Sequence, residues 1–186
     1  VTGEVLARGK MVGSSSFAIT PPTYAEGMIF VALSDGRIQA FNADTLESLW
    51  VFTDAMGGQP NCPLTYKDGY LYTGFWIGER DMANFVCVSV TDEDPSYDKE
   101  MKRATWTYAS KGGYYWAGAY AGDGYVMVGT DDGESLYYSQ TSKLLLLDAE
   151  TGRFMDSWNN LDADIRSTVV YDEVTKAHYF TAKGGT

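Results

Sequence analysis

The sequence predicts an all-β fold of small four-stranded antiparallel sheets that stack on one another. Residues 20–50 read as strand, turn, strand, turn, and weakened copies of that stretch fill the rest of the chain. The composition agrees: 20 Gly and 15% aromatic residues suit an architecture of strands and tight turns.

Within the first unit each strand has its own reason. Pro21 and Pro22 stand at its entrance, where a residue with no amide to give to a ladder does least harm. Thr23 and Tyr24 continue into a strand, and Glu26-Gly27 is a hairpin pair with Gly27 suited to positive φ. Residues 28–33 form an apolar run too short for a helix and partly β-branched, hence a buried strand. After Ser34-Asp35-Gly36, residues 37–42 alternate polar and apolar, offering Ile38, Ala40 and Phe41 to a core. The turn at 43–45 leads to a fourth strand over 46–52 carrying Trp50. One such sheet cannot bury both its faces, so it gains stability only against copies of itself.

The copies follow in order. The first hairpin recurs over 62–74, with Lys67-Asp68-Gly69 at its turn, and over 118–129, with Asp123-Gly124 at its turn. It recurs again over 167–185 with a longer turn. The second half of the unit recurs at 145–155, and in outline as 85–90 followed by 104–106. A lone half-copy, taken as one strand, occupies residues 2–13.

This pattern resembles the repeat of the pyrroloquinoline-quinone-like (quinoprotein-type) β-propellers, whose blades end in Ala-x-Asp-x-x-Thr-Gly-x-x-x-Trp. Ala40, Asn42, Thr45 and Trp50 hold those places here, with Asn42 for Asp and Leu46 for Gly. Leu146, Asp148, Thr151 and Gly152 hold them in a later copy, where Trp158 arrives two residues late, and the middle copy keeps only Trp106. The resemblance implies a β-propeller with about four blades present, part of a ring of seven or eight. The implied divisions are 1–13 (last strand of a preceding blade), 14–54, 55–109, 110–160 and 161–186 (first half of a blade). It implies that Trp50, Trp106 and Trp158 dock each blade on the next. The remaining blades are then expected on residues outside this chain, on a second chain, or on a second copy. Bacterial cell-surface, secreted or envelope proteins are the setting the resemblance suggests.

A net charge of -11 argues against a nucleic-acid footprint, which would be basic, and disfavours an anionic membrane surface. No apolar run approaches the roughly 18 residues of a membrane span. Cys62 and Cys87 fall on the first and third strands of one sheet, about 9–10 Å apart by strand spacing. That exceeds the roughly 7 Å limit for a disulfide, so two free, buried thiols are expected.

In a four-stranded meander the connections between blades and those between second and third strands emerge on one face. The long connections 53–61, 77–83, 110–116, 131–140 and 159–166 mostly belong there, and loops longer than hairpins require are disproportionately functional. Trp76, Arg80, Tyr114, Tyr115, Trp116, Tyr137 and Tyr138 lie in or beside them as candidate ligand-binding residues. Aromatics beside Arg, Asn and Asp suit a carbohydrate or peptide ligand. The same rings can also plug a central channel, and both readings stand. The insertion 91–103 falls on the opposite face and is expected to be a solvated charged loop, its carboxylates not spaced as in a calcium loop.

His178, the only histidine, has no sequence neighbour to make a metal site with, and is expected to be packed or exposed. No nucleophile elbow, dinucleotide fingerprint or phosphate loop is present. The quinone-dependent dehydrogenases that the repeat resembles carry an adjacent-cysteine disulfide and a calcium site, and this sequence has no adjacent cysteines. The expectation is therefore a non-enzymatic module without cofactor or metal that recognises protein or carbohydrate. The rivals are a fragment of a quinone-dependent dehydrogenase and a scaffold resembling the outer-membrane assembly lipoproteins.

Overall fold

The structure, a computed structural model, describes residues 2–16, 18–97, 100–131, 142–159 and 164–182. All its regular elements are strands: β1 (Thr23–Ala25), β2 (Met28–Leu33), β3 (Arg37–Asn42), β4 (Ser48–Thr53), β5 (Thr65–Lys67), β6 (Tyr70–Gly74), β7 (Met82–Ser89), β8 (Glu100–Lys102), β9 (Trp106–Lys111), β10 (Tyr120–Ala121), β11 (Tyr125–Gly129), β12 (Leu144–Asp148), β13 (Phe154–Trp158), β14 (Val170–Asp172) and β15 (Ala177–Tyr179). They form sheets in the orders β1-β2-β3-β4-β8, β5-β6-β7-β9, β10-β11-β12-β13 and β14-β15. This is an all-β arrangement of meandering blades, the partial β-propeller that the repeat predicts.

The turn chemistry acts as expected and goes one step further. Glu26 and Gly27 both take positive φ, 49° and 75°, and Asp68 and Gly69 do the same at 47° and 84°. Two successive left-handed residues make the hairpin turn whose twist matches the strands it joins. Asn42 replaces Asp without losing its role, because its Oδ1 accepts from the amides of Asp44 and Thr45 at 2.9 and 3.0 Å. Asp148 does likewise for Glu150 and Thr151. Leu46, in the place of the repeat's Gly, is forced to φ 58° where Gly152 sits at 69°.

The sheets bury one another's faces. Phe30, Ile38, Ala40, Trp50 and Phe52 of the first blade pack with Leu71, Val86 and Val88 of the second. The alternate residues Tyr72, Phe85 and Cys87 point the other way, into Val126, Val128, Leu145 and Leu147 of the third. Period-two alternation with both faces covered is why β7 is buried almost end to end. The innermost strands line up, β1 against β5 and β5 against β10. Thr23 Oγ1 donates to Leu64 O and Thr65 Oγ1 to Ala119 O, each at 2.9 Å.

Trp50 and Trp106 dock as expected. Trp50 Nε1 donates to Val90 O at 3.1 Å and Trp106 Nε1 to Ala149 O at 2.9 Å, each reaching the end of the next blade's third strand. Trp158 does not dock: it is 48% exposed. Trp50 pairs with Ala40 and its register equivalent in β13 is Asp156, opposite Leu146, so Trp158 stands two positions further along. The described residues after it form only the β14–β15 hairpin, with no third strand to accept an indole bond.

Two further expectations are corrected. The described residues 2–16 form no strand. They lie against the first blade through the Gln39 side chain, whose Oε1 accepts from Val12 N and whose Nε2 donates to Lys10 O. A single extended segment with no ladder partner is held by that buried amide instead. The insertion 91–103 is not simply a solvated loop, because its residues Glu100–Lys102 form β8, parallel to β4. Lys102 explains this: its side chain is 2% exposed, its Nζ donates to Thr91 O at 2.6 Å and Glu93 Oε1 at 2.9 Å, and it stands 5.7 Å from the Trp50 ring. The inserted strand thereby covers the outer edge of the first blade.

Candidate functional site

Connections between blades run beside those joining second and third strands, and backbone bonds weld them into one surface. Gly36 N donates to Gly58 O, Tyr114 N to Phe75 O, Asp131 N to Gly113 O and Ile165 N to Thr130 O, at 2.8 to 3.2 Å. Trp76 and Gln59 exchange a reciprocal pair of backbone bonds.

On this surface Trp76, Tyr115 and Trp116 come together. Tyr115 and Trp116 stack with centroids 4.5 Å apart and planes 27° apart, and Trp76 meets Tyr115 at 4.9 Å and 52°. Trp116 is 43% exposed and holds φ 62°, a region that bulky L-residues avoid. Gly112 and Gly113, at the start of the same connection, also take positive φ, 79° and 63°, and Gly113 passes so close to Ala83 and the Phe75 carbonyl that a Cβ there would clash with both. Trp76 Nε1 is buried without a hydrogen-bond partner. Beside Trp76 a cleft of 400 Å³ opens among Ser14, Ser34, Asp35, Gln59 and Ile77.

Tyr114 departs from its expected role. It is fully buried between the second and third blades, its OH donating to Tyr108 O at 3.2 Å, and it packs directly on Gly74. Its burial between two sheets takes Tyr114 out of the candidate ligand-binding surface and into the core that joins the blades. Arg80 is exposed in the β6–β7 connection. Tyr137 and Tyr138 lie outside the described residues.

The cation over the platform is Arg166, its Cζ 4.6 Å from the Tyr115 centroid. Arg166 holds Asp131 through two bonds, Nε to Oδ1 at 3.1 Å and Nη2 to Oδ2 at 2.7 Å. The same Nη2 lies 2.9 Å from Asp164 and 3.7 Å from Glu79. Burial pushes the Asp131 carboxyl up to about 7, against the opposing pull of Arg166. Sequence reasoning flagged the connection that carries Arg166 but passed over the residue. The available signal was an arginine closing an acidic stretch just before an apolar strand.

Elsewhere, Cys62 and Cys87 are free and buried, as the strand spacing implied, and burial pushes both thiols up to about 12. Cys62 donates to Tyr114 O, while Cys87 lies opposite Trp106 on β7, so they do not provide the adjacent pair that a quinone seat of the resembled enzymes would use. His178 bonds Tyr125 OH at 3.0 Å and packs among Tyr120, Tyr125 and Tyr171. Among the described residues no cluster of His, Cys, Asp and Glu could hold a metal ion, and no helix is long and apolar enough to cross a membrane.

Comparison with known proteins places this geometry. The family profile of outer membrane protein assembly factor BamB matches residues 1–75. No curated protein matches the chain. Among solved structures, the computationally designed Ika4 protein superposes with a TM-score of 0.66 at 15% identity, over 100% of this chain and 96% of that one. BamB from Moraxella catarrhalis gives 0.59 at 16% identity over 86% of this chain and 44% of that one. The quinohemoprotein alcohol dehydrogenase from Comamonas testosteroni gives 0.61 at 12% identity over 88% of this chain and 28% of that one. Against the two natural proteins the chain spans less than half of the relative's length. The repeat, the stacked sheets and the BamB match over residues 1–75 agree in making the chain similar to the quinoprotein-like β-propellers, with the solved structures showing the shared fold.

Proposed function

We propose that the chain is part of a non-enzymatic recognition module of the bacterial envelope or cell surface, binding a protein or carbohydrate partner on the platform of Trp76, Tyr115 and Trp116. The observation that carries this reading is Trp116, a large ring held in a disfavoured backbone conformation with nearly half its surface in solvent. A strained backbone persists only where its surroundings impose it, and such positions cluster at binding sites. Stacked, half-exposed aromatic rings offer large contact area at small entropic cost. The BamB family match, named for outer membrane protein assembly, supports an envelope setting and a protein partner. Tyr115→Ala and Trp116→Ala should abolish capture of partners in pull-downs and on glycan arrays while leaving the unfolding transition cooperative. Unchanged signals in both assays would remove the platform from the function.

A quinone-dependent dehydrogenase fragment is the rival, favoured by the likeness to the Comamonas enzyme. Dye reduction with alcohols or sugars after addition of quinone and calcium would establish it in place of the binding reading.

A further inference from the structure

The first three blades treat their outer edges differently. In the first, β4 is not the last strand: β8, delivered by the insertion between β7 and β9, pairs parallel to it. In the second, β9 ends the sheet, and its exposed side chains are Thr107, Ala109 and Lys111, a small and basic edge of the kind that discourages pairing. In the third, β13 ends the sheet, with β12 its one ladder partner among the described residues. Its exposed side chains include Phe154, Met155 and Trp158, an apolar edge of the kind that invites a strand.

The first blade shows what such an edge accepts. Trp50, Val51 and Phe52 pair with Glu100, Met101 and Lys102, so three residues from outside the meander suffice. Lys102 stands opposite Phe52 and reaches back to within 5.7 Å of the Trp50 ring. The register carries over to the third blade, where Leu146 holds the place of Ala40. Asp156 then corresponds to Trp50, Ser157 to Val51 and Trp158 to Phe52.

That correspondence sets the chemistry of the missing strand. A basic side chain opposite Trp158, reaching back as Lys102 does, would meet the Asp156 carboxylate and make an ion pair where the first blade has a cation near a ring. The Ser157 amide donates to Asp156 Oδ1 at 2.8 Å, a bond within the edge strand that an incoming carbonyl can replace. The carboxylate released in this way is free for the incoming cation. An acidic residue opposite Asp156, the place that Glu100 holds on β8, would be repelled.

We propose that β13 is a strand-addition site for an extended segment of a protein partner, added parallel, with an apolar residue opposite Ser157 and a lysine or arginine opposite Trp158. Main-chain bonds supply the affinity, and the pair with Asp156 selects the segment. None of these residues belongs to the platform of Trp76, Tyr115 and Trp116.

Amide NMR shifts of the isotope-labelled protein, titrated with the acetylated and amidated peptide Thr-Ser-Val-Lys-Val-Thr, test this. The shifts should centre on residues 154–158, and norleucine in place of Lys should weaken binding about two- to fivefold. Methylating alternate backbone nitrogens of the peptide should abolish binding, because the ladder would be lost. Asp156→Asn, which keeps an acceptor for the Ser157 amide, should erase the preference for Lys over norleucine, while Trp116→Ala should leave it intact. Shifts absent from 154–158, or undiminished by methylation, would overturn strand addition. Equal affinity of the Lys and norleucine peptides for the parent protein would overturn the basic partner.

Discussion

Trp50 Nε1 donates a 3.1 Å hydrogen bond to the carbonyl oxygen of Val90, joining two consecutive blades through a fully buried indole. Trp106 repeats the bond to Ala149 one blade later. The repeat tryptophan is thus both a core side chain and the polar tie that sets the stacking register. Trp50→Phe keeps most of the ring and strands the Val90 carbonyl, which should cost about 1–3 kcal/mol. Trp158→Phe should stay within about 0.5 kcal/mol of the parent, since that ring is exposed. Urea unfolding of the two variants side by side checks the contrast.

Lys102 secures the inserted strand to the first blade. Its Nζ is held by Thr91 O and Glu93, with Glu100 at 3.7 Å, while its side chain is nearly inaccessible. Lys102→Met should fill the same space, lose these charged hydrogen bonds, and destabilise by about 1.5–3 kcal/mol. Faster proteolysis within 91–103 should accompany the loss, because β8 would no longer be clamped on β4. Unaltered cleavage there would show that the strand holds without the amine.

Trp116 should separate stability from binding. Its φ of 62° costs an L-residue about 1–2 kcal/mol, and glycine escapes that cost. Trp116→Gly should therefore exceed Trp116→Ala in stability by about 1 kcal/mol, with partner binding lost in both. Thermal melts and pull-downs on the same samples measure the two effects independently.

Asp131 makes stability depend on pH with a definite sign. Its folded carboxyl is pushed up to about 7 from an ordinary 3.8, because burial disfavours the charge more than Arg166 favours it. A folded state that keeps its proton longer than the unfolded chain loses stability as that proton leaves. Stability from this group should fall as pH rises from about 4 to about 7 and then level off. Asp131→Asn, which has no proton to lose, should show a flatter urea midpoint against pH across that window. A parent protein whose midpoint rises through the same window would contradict the burial argument.

Much of the fold was legible because its information is local. The bounds of β2 and β3, the Asp-Gly and Glu-Gly turns, and the docking of Trp50 follow from patterns within a few residues of each position. The site was legible only in part. Connection length and aromatic content singled out Trp76, Tyr115 and Trp116, which do meet. They singled out Tyr114 equally, although it turns inward, since neighbours one position apart face different surroundings that composition does not distinguish. Arg166 went unnoticed because, Asp164 apart, its partners Tyr115, Asp131 and Glu79 are distant along the chain.

Periodicity and turn chemistry thus suffice for the blade as a unit, for all-β architecture and for the likeness to the quinoprotein-like repeat, because each is imposed by contacts between residues close in the chain. Three outcomes needed the stacked sheets. Lys102 draws part of a charged insertion into a neighbouring blade, Trp158 stays exposed because no third strand among the described residues receives it, and Arg166 lands on Tyr115 between carboxylates from separate connections. Each depends on which surfaces meet across blades, and burial and charge pairing across such distances exist only once the chain has folded.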